Sequence, residues 1–295
     1  MPETTTRPPR LLYAAIGVVC ALIGLLPWIL TGMRLPLQNL WALQALPEDM
    51  PFVLLPFSQY SITTVIGVIV TAWVLAGAAA RTVRPGRRRS TAPWAAVMIL
   101  LVQLGALTQT ALTVHAGLAE GEVALAYLLL LTGGTVAAIL VGAVLFTLIA
   151  GAPRAGAVLA AGIGAVPVGF WLNAVIAPAG GLLVVDGAQL GLLALARWVP
   201  PLLVAGVIIW SGIGTAGRAV GAALAVIALW VGTAAATAFT AAVGSRVLAS
   251  APQEMLDYGV QVFWSALSAE VPLALVAAAV AALGLVVRAT LTRRA

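Results

Sequence analysis

Residues 250–270 read SAPQEMLDYGVQVFWSALSAE. The stretch lies between two long apolar runs, and whether it is a further membrane span or a helix outside the bilayer fixes which loops share a side. Glu254, Asp257, Gln261, Ser265 and Ser268 recur at steps of three and four, while Leu256, Val260, Phe263, Trp264 and Leu267 fall on the opposite helical face. That pattern predicts an amphipathic helix near 251–268. A span would bury Glu254 and Asp257 in hydrocarbon at about 2–3 kcal/mol each on the insertion scale, a cost an interfacial helix does not meet. Ser250 to Gln253 reads as a capping box, with Pro252 tolerated in the first turn. The expectation is a helix lying on the extracytoplasmic surface, with Phe263 and Trp264 in the membrane interface. The helix, with Glu254 and Asp257 on its polar face, either cushions the outer face or caps a lateral portal or partner site.

Composition places the rest of the chain in the bilayer. Hydrophobic residues make up 62% and charged residues 8%, against roughly 25% charged in a soluble domain, and the mean hydropathy is +1.11. Reading apolar runs against the roughly 20 residues that cross a bilayer gives eight spans, at residues 11–32, 59–80, 94–116, 124–150, 157–176, 190–213, 220–243 and 272–290. Helices are required because lipid offers the backbone no hydrogen-bond partners, and the runs lack the alternation of barrel strands. The fold class is therefore an all-α polytopic transmembrane bundle, a single integral membrane domain over 1–295. Its parts are a tail at 1–10, an apolar proline-rich outer loop at 33–58, a basic loop at 81–93 and an outer loop at 245–271.

All fifteen basic residues are arginine, giving a net charge of +6. Arg7, Arg10, Arg81, Arg84, Arg87, Arg88, Arg89, Arg154, Arg218, Arg288, Arg293 and Arg294 fall in one set of alternate loops; Arg34 and Arg246 fall in the other, and Arg197 lies inside the sixth run. The positive-inside rule makes both termini and the TVRPGRRRS loop cytoplasmic, with the chain in the inner (plasma) membrane. Glu48, Asp49, Glu120, Glu122, Asp186, Glu254, Asp257 and Glu270 all fall in or beside the opposite loops. The N-terminal run has no small-x-small cleavage site before Gly32 and reads as a retained signal anchor. The basic balance has this topological source and no aromatic interleaving, so nucleic acid is not an expected partner. The lone Cys20 supports neither a disulfide framework nor a thiolate metal site.

Four features could carry recognition. The outer loop RLPLQNLWALQALPEDMPFVLLPFSQYS has Pro36, Pro47, Pro51 and Pro56, too dense for one helix, yet it is rich in Leu and Phe. Non-helical backbone at membrane depth needs shielding by protein or a wet cavity. Gln38, Asn39, Gln44, Gln59 and Tyr60 would line such a cavity, or the loop plugs the outer face. In span six, Arg197 is followed by Pro200 and Pro201, which predicts a broken helix; the Arg either marks a substrate site, snorkels, or pairs with Asp186, Glu120, Glu122 or Glu270. In span three, Gln103, Gln109, Thr110 and Thr113 form a polar stripe that should face the bundle interior. His115, the only histidine, is either solvated at the outer end of that span or a proton acceptor with Glu120 or Glu122.

Small residues suit close helix packing: WVGTAAATAF in span seven, Gly162 and Gly164 in span five, and Gly217, Gly221 and Ala225 entering span seven. No strong internal repeat is visible, although spans one to four and five to eight allow a weak parallel duplication. There is no Walker loop, HExxH, G-x-S-x-G or pair of haem-ligand histidines, and no span centre carries Asp, Glu or Lys. No metal or cofactor is expected. These features together support a non-enzymatic transport or membrane-complex subunit meeting a lipid-like or hydrophobic partner at the extracytoplasmic leaflet. Its expected partners are membrane lipid, a lipid-linked substrate or other membrane subunits. The alternatives are a membrane-embedded enzyme on a lipid-linked substrate, with Arg197 binding phosphate and Glu48, Asp49 or Asp257 as base, and a structural assembly factor.

Overall fold

An apolar run in lipid must close its own backbone hydrogen bonds, and helices do this within one segment. The computed structural model describes residues 10–83, 88–178, 187–245 and 251–294, the side chains of 88–91 and 292–294 apart. It contains α1 (Arg10–Leu30), α2 (Ile62–Thr82), α3 (Arg88–Gly117), α4 (Glu122–Gly151) and α5 (Arg154–Ile176). The chain continues through α6 (Gly187–Ala196), α7 (Val199–Ser211), α8 (Ala216–Gly244), α9 (Pro252–Ala269) and α10 (Val271–Arg294). Among the described residues eight stretches are long and apolar enough to cross a membrane, with α6 and α7 together making the sixth and α9 running into the eighth. The chain is an all-helical protein compatible with multiple membrane passes. Arg7, Arg84, Arg87, Asp186, Arg246 and Ser250 lie outside the described residues.

Successive spans reverse direction, so the bundle has two chemically different ends. Arg10, Arg81, Arg154, Arg218 and Arg288 collect at one; Glu48, Asp49, Glu120, Glu122, Glu254 and Asp257 collect at the other, with Arg34 and His115. These are the basic end and the acidic end below.

The helices pack as two groups of four with the same neighbour relations. In the first group α1 packs on α2 and α3, α2 on α3 and α4, and α3 on α4. In the second, with α7 and α6 as its second span, α5 packs on α7 and α8, α7 on α8 and α10, and α8 on α10. The first and fourth spans of each group make no substantial contact. Equivalent close approaches recur as well. Gly17 of α1 lies against the Ala95 backbone of α3, and Gly162 of α5 lies against Ala225 of α8, where an added methyl would sit 2.7 Å from the Ala225 Cα. The two halves of the chain thus share their neighbour relations, as the weak duplication that the sequence allows would require. Each half has its own buried cluster, one around Trp73, Ile69 and Ile99, the other around Val204, Ala225 and Leu229.

α5 joins the halves. A methyl on Gly67 of α2 would lie 2.7 Å from the Trp171 nitrogen, and one on Gly164 would lie 2.7 Å from Val74. The Trp171 indole N–H reaches the carbonyls of Ile23 and Gly24 at 3.0 and 3.1 Å. Of the small residues noted in the sequence, Gly162, Gly164 and Gly221 make such contacts, whereas Gly217 faces open space.

Residues 252–269 form the expected helix, but its packing differs from a helix lying apart on a surface. α9 runs antiparallel along the distal part of α8: Gly259 meets Ala242, and the Trp230 indole N–H donates to Leu267 O at 2.7 Å. Buried and half-buried positions recur along both helices, among them Met255, Gly259, Val262, Ala266, Glu270, Leu273, Ala277 and Ala281, and their steps of three and four pass through the α9–α10 junction without a change of phase. One stripe therefore packs both helices. Leu256, Val260 and Trp264 of the expected apolar face are 67%, 53% and 63% exposed, on a third face beside the acidic one. The capping box is also corrected. Ala251 is the N-cap and makes no side-chain cap, because Pro252, lacking an N–H and preset in φ, starts the helix one residue later than a Ser250 cap requires.

Candidate functional site at the acidic end

The loop between α1 and α2 is ordered by hydrogen bonds that its prolines cannot make for themselves. Gly32 and Met33 take positive φ values of 81° and 58° and turn the chain back on leaving α1; for Met33 this is an uncommon backbone state. Val53 then donates to Met33 O and Leu35 to Pro51 O, both at 2.9 Å, pairing the two arms of the loop. The segment Val53–Phe57 inserts among the helices, with Val53, Leu55 and Phe57 fully buried. An extended segment in that position leaves backbone N–H groups without partners unless side chains supply them. The α3 stripe does so. Leu54 N–H donates to Gln109 Oε1 (2.9 Å), Leu55 N–H to Thr110 Oγ1 (3.0 Å), and Gln109 Nε2 returns a bond to Phe52 O (2.9 Å). The Trp28 indole satisfies Val53 O at 2.8 Å.

The other arm is fixed with equal care. Gln38 is buried, donates to Pro36 O and Phe57 O, and accepts from the Tyr127 hydroxyl at 2.7 Å. Ala42 N–H bonds Gly117 O and Ala119 N–H bonds Leu40 O, at 2.9 and 2.8 Å, tying the loop to the end of α3. The Trp41 ring lies directly over Gly117, where no side chain would fit.

Residues 37–50 thereby enclose an open cavity of about 730 Å³. Leu37, Trp41, Leu43, Leu46 and Met50 supply apolar wall; Asn39, Gln44 and Asp49 supply polar groups. Leu43 is 77% exposed, with Leu37 and Leu46 also exposed along the same loop. Beside it, Ser58, Gln59, Tyr60, Asn39 and Tyr127 line a recess of about 30 Å³, the size of one water. Residues 53–57 insert as a plug and 37–50 form a cup; of the five residues expected to line one cavity, Gln38, Asn39 and Gln44 border the cup, and Asn39, Gln59 and Tyr60 border the recess beside it.

The other expected residues take simpler places. Gln103 clamps α2, accepting from the Trp73 indole at 2.7 Å and donating to Ile69 O at 2.9 Å. Helix six is broken as its prolines predict, at Arg197 and Trp198. Arg197 is exposed, with its guanidinium 5.2 Å from the Trp198 ring centre, and forms no ion pair with Glu120, Glu122 or Glu270. His115, Glu120, Glu122, Glu254 and Asp257 are solvent-exposed at the acidic end, while Phe263 is half-buried against its edge-on neighbour Trp264. Among the described residues no group of His, Cys, Asp and Glu could hold a metal ion. Sequence reading missed Tyr127, whose signal was a hydroxyl one turn inside an apolar run, and Trp28 and Trp41, whose partners are backbone groups.

Compared with protein-family models, curated proteins and solved structures, the chain matches none.

Proposed function

We propose that this protein is a non-enzymatic subunit of a plasma-membrane complex, with both termini cytoplasmic, which holds a hydrophobic partner at its extracytoplasmic, acidic end. The observation that carries the reading is the cup over 37–50: exposed leucines and Trp41 on a loop held rigid by Gln38, Gln109 and Thr110. A bundle that spends a buried polar stripe on fixing one loop favours a function in that loop. The exposed Leu256, Val260 and Trp264 of α9 add a second apolar surface at the same end. Arginine in the connections of the other end supports the orientation.

A docking role is favoured over alternating access because the halves meet through glycine contacts, Gly67 on Trp171 and Gly164 on Val74, rather than across a polar cleft. The enzyme reading asks Arg197 to bind phosphate, and its charge instead rests on Trp198.

Photo-crosslinking in native membranes tests the proposal. A photoreactive residue at Leu43 and one at Trp264 should each give a defined adduct of a single partner, absent when the residue is placed at the exposed mid-helix Leu140. Bulk phospholipid adducts alone, equal at all three positions, would overturn it.

A further inference from the structure

The basic end contains an arrangement that the proposed docking role does not use. α7 ends at Ser211, and its last carbonyls accept from arginines of two other helices. Arg288 of α10 donates to Ile209 O and to Trp210 O (3.0 Å), and Arg218 of α8 reaches Ser211 O at 3.5 Å. Arg81 of α2 bonds Ile149 O and Ala152 O (3.0 Å) at the end of α4, and its guanidinium carbon stands 5.0 Å from the Trp210 ring centre. Arg154, the first residue of α5, stands 5.7 Å from the same ring.

Two guanidinium groups thus stand by the Trp210 ring and two more cap the carbonyls of Ile209, Trp210 and Ser211, the four coming from four helices. A helix C-terminus carries about half a negative charge, so the ends of α4 and α7 offset roughly one of the four positive charges. Among the described residues no carboxylate side chain lies at this end. Arg154 is exposed and makes no hydrogen bond to protein among the described residues, leaving its planar fork of donors for an anion. Behind the cluster the Ser211 side chain is 98% buried and its hydroxyl has no partner among the described residues.

We infer that this cluster binds the headgroup phosphate of an anionic glycerophospholipid in the leaflet at the basic end. The surroundings select a lipid over a soluble phosphate. Trp210 is 44% exposed at the helix ends, the level at which tryptophan marks a membrane interface. The helices that carry Trp210 and Arg288 also expose Leu203, Val286 and Val287, within two turns of those residues, as aliphatic surface for an acyl chain. Phosphate, tryptophan and aliphatic wall then follow one another in the order of a lipid molecule. The inference rests on the eight membrane passes and is independent of what docks at the other end.

Native mass spectrometry of the detergent-purified protein, titrated with phosphatidylglycerol or phosphatidylcholine, reads the site. The wild type should retain phosphatidylglycerol selectively, and Arg154→Gln should weaken retention about fivefold, the effect of one basic residue near an anionic surface. Arg288→Gln should do the same, but it also uncaps α7, so Arg154→Gln decides the matter. Arg10, at the same end but over Trp94 at 5.7 Å, is the control: Arg10→Gln should leave retention unchanged. Wild-type retention in Arg154→Gln, or an equal loss in Arg10→Gln, would overturn the inference. So would inorganic phosphate that protects the protein from heat as well as phosphatidylglycerol does.

Discussion

The backbone N–H of Leu55 donates to the Thr110 hydroxyl at 3.0 Å, joining the inserted part of the first loop to the polar stripe of α3. Thr110→Val keeps the shape and removes the acceptor. A buried N–H without a partner costs about 1–3 kcal/mol, so this variant should unfold earlier in a thermal melt in detergent, with residues 37–57 becoming sensitive to protease. Thr113 bonds only within its own helix and to Gln109; Thr113→Val should change stability by less than about 0.5 kcal/mol.

Glycine contacts between helices predict opposite outcomes for the same substitution. Gly162→Ala places a methyl 2.7 Å from the Ala225 Cα and Cβ, a backbone-level overlap that forces α5 and α8 apart. It should destabilise by about 1–3 kcal/mol. Gly133→Ala meets nothing within 4 Å and should stabilise α4 by about 0.5–1 kcal/mol through helix propensity. Paired melts of the two variants check both signs.

Trp230→Phe removes the indole donor to Leu267 O, one of the bonds that hold α9 on α8. A net loss of about 0.5–1.5 kcal/mol is expected. Hydrogen exchange should speed up locally over 252–269 and stay unchanged in α1–α4. A uniform rise over the whole chain would mean that α9 does not open as a separate unit.

The two ends can be assigned by labelling. Cys20 is buried, and with Cys20→Ala as background, cysteines placed at Leu43 and Glu254 should react with an impermeant thiol reagent from outside the cell. A cysteine at the exposed Gly214 should react only after the membrane is opened. Reaction of all three from one side would contradict the helix order.

Much of this fold is legible in the sequence because its signals are local. Span positions follow from run length, and the break at Arg197 follows from Pro200 and Pro201, whose missing donors no neighbour can replace. The polar stripe of α3 also reads correctly as facing inward. What sequence could not give is what the stripe touches. The partners of Gln109 and Thr110 are backbone groups of Leu54 and Leu55, and a backbone N–H looks the same at every position. The same limit explains α9. Its periodicity separates polar from apolar residues, but Gly259, which meets Ala242 of α8, and the buried Ala266 are too small to stand out in an apolar count.

The parallel halves invite a subtraction. Each contributes four spans with the same neighbours, entered from the same end. Removing what they have in common leaves the folded loop of the first half and α9 of the second, since α3 and α4 are joined by only four residues, 118–121, where α8 and α10 are separated by a whole helix. Both remainders stand at the acidic end. Among the described residues the helices supply a repeated frame with two insertions placed at different steps of the repeat, and only the second half breaks its second span, between α6 and α7.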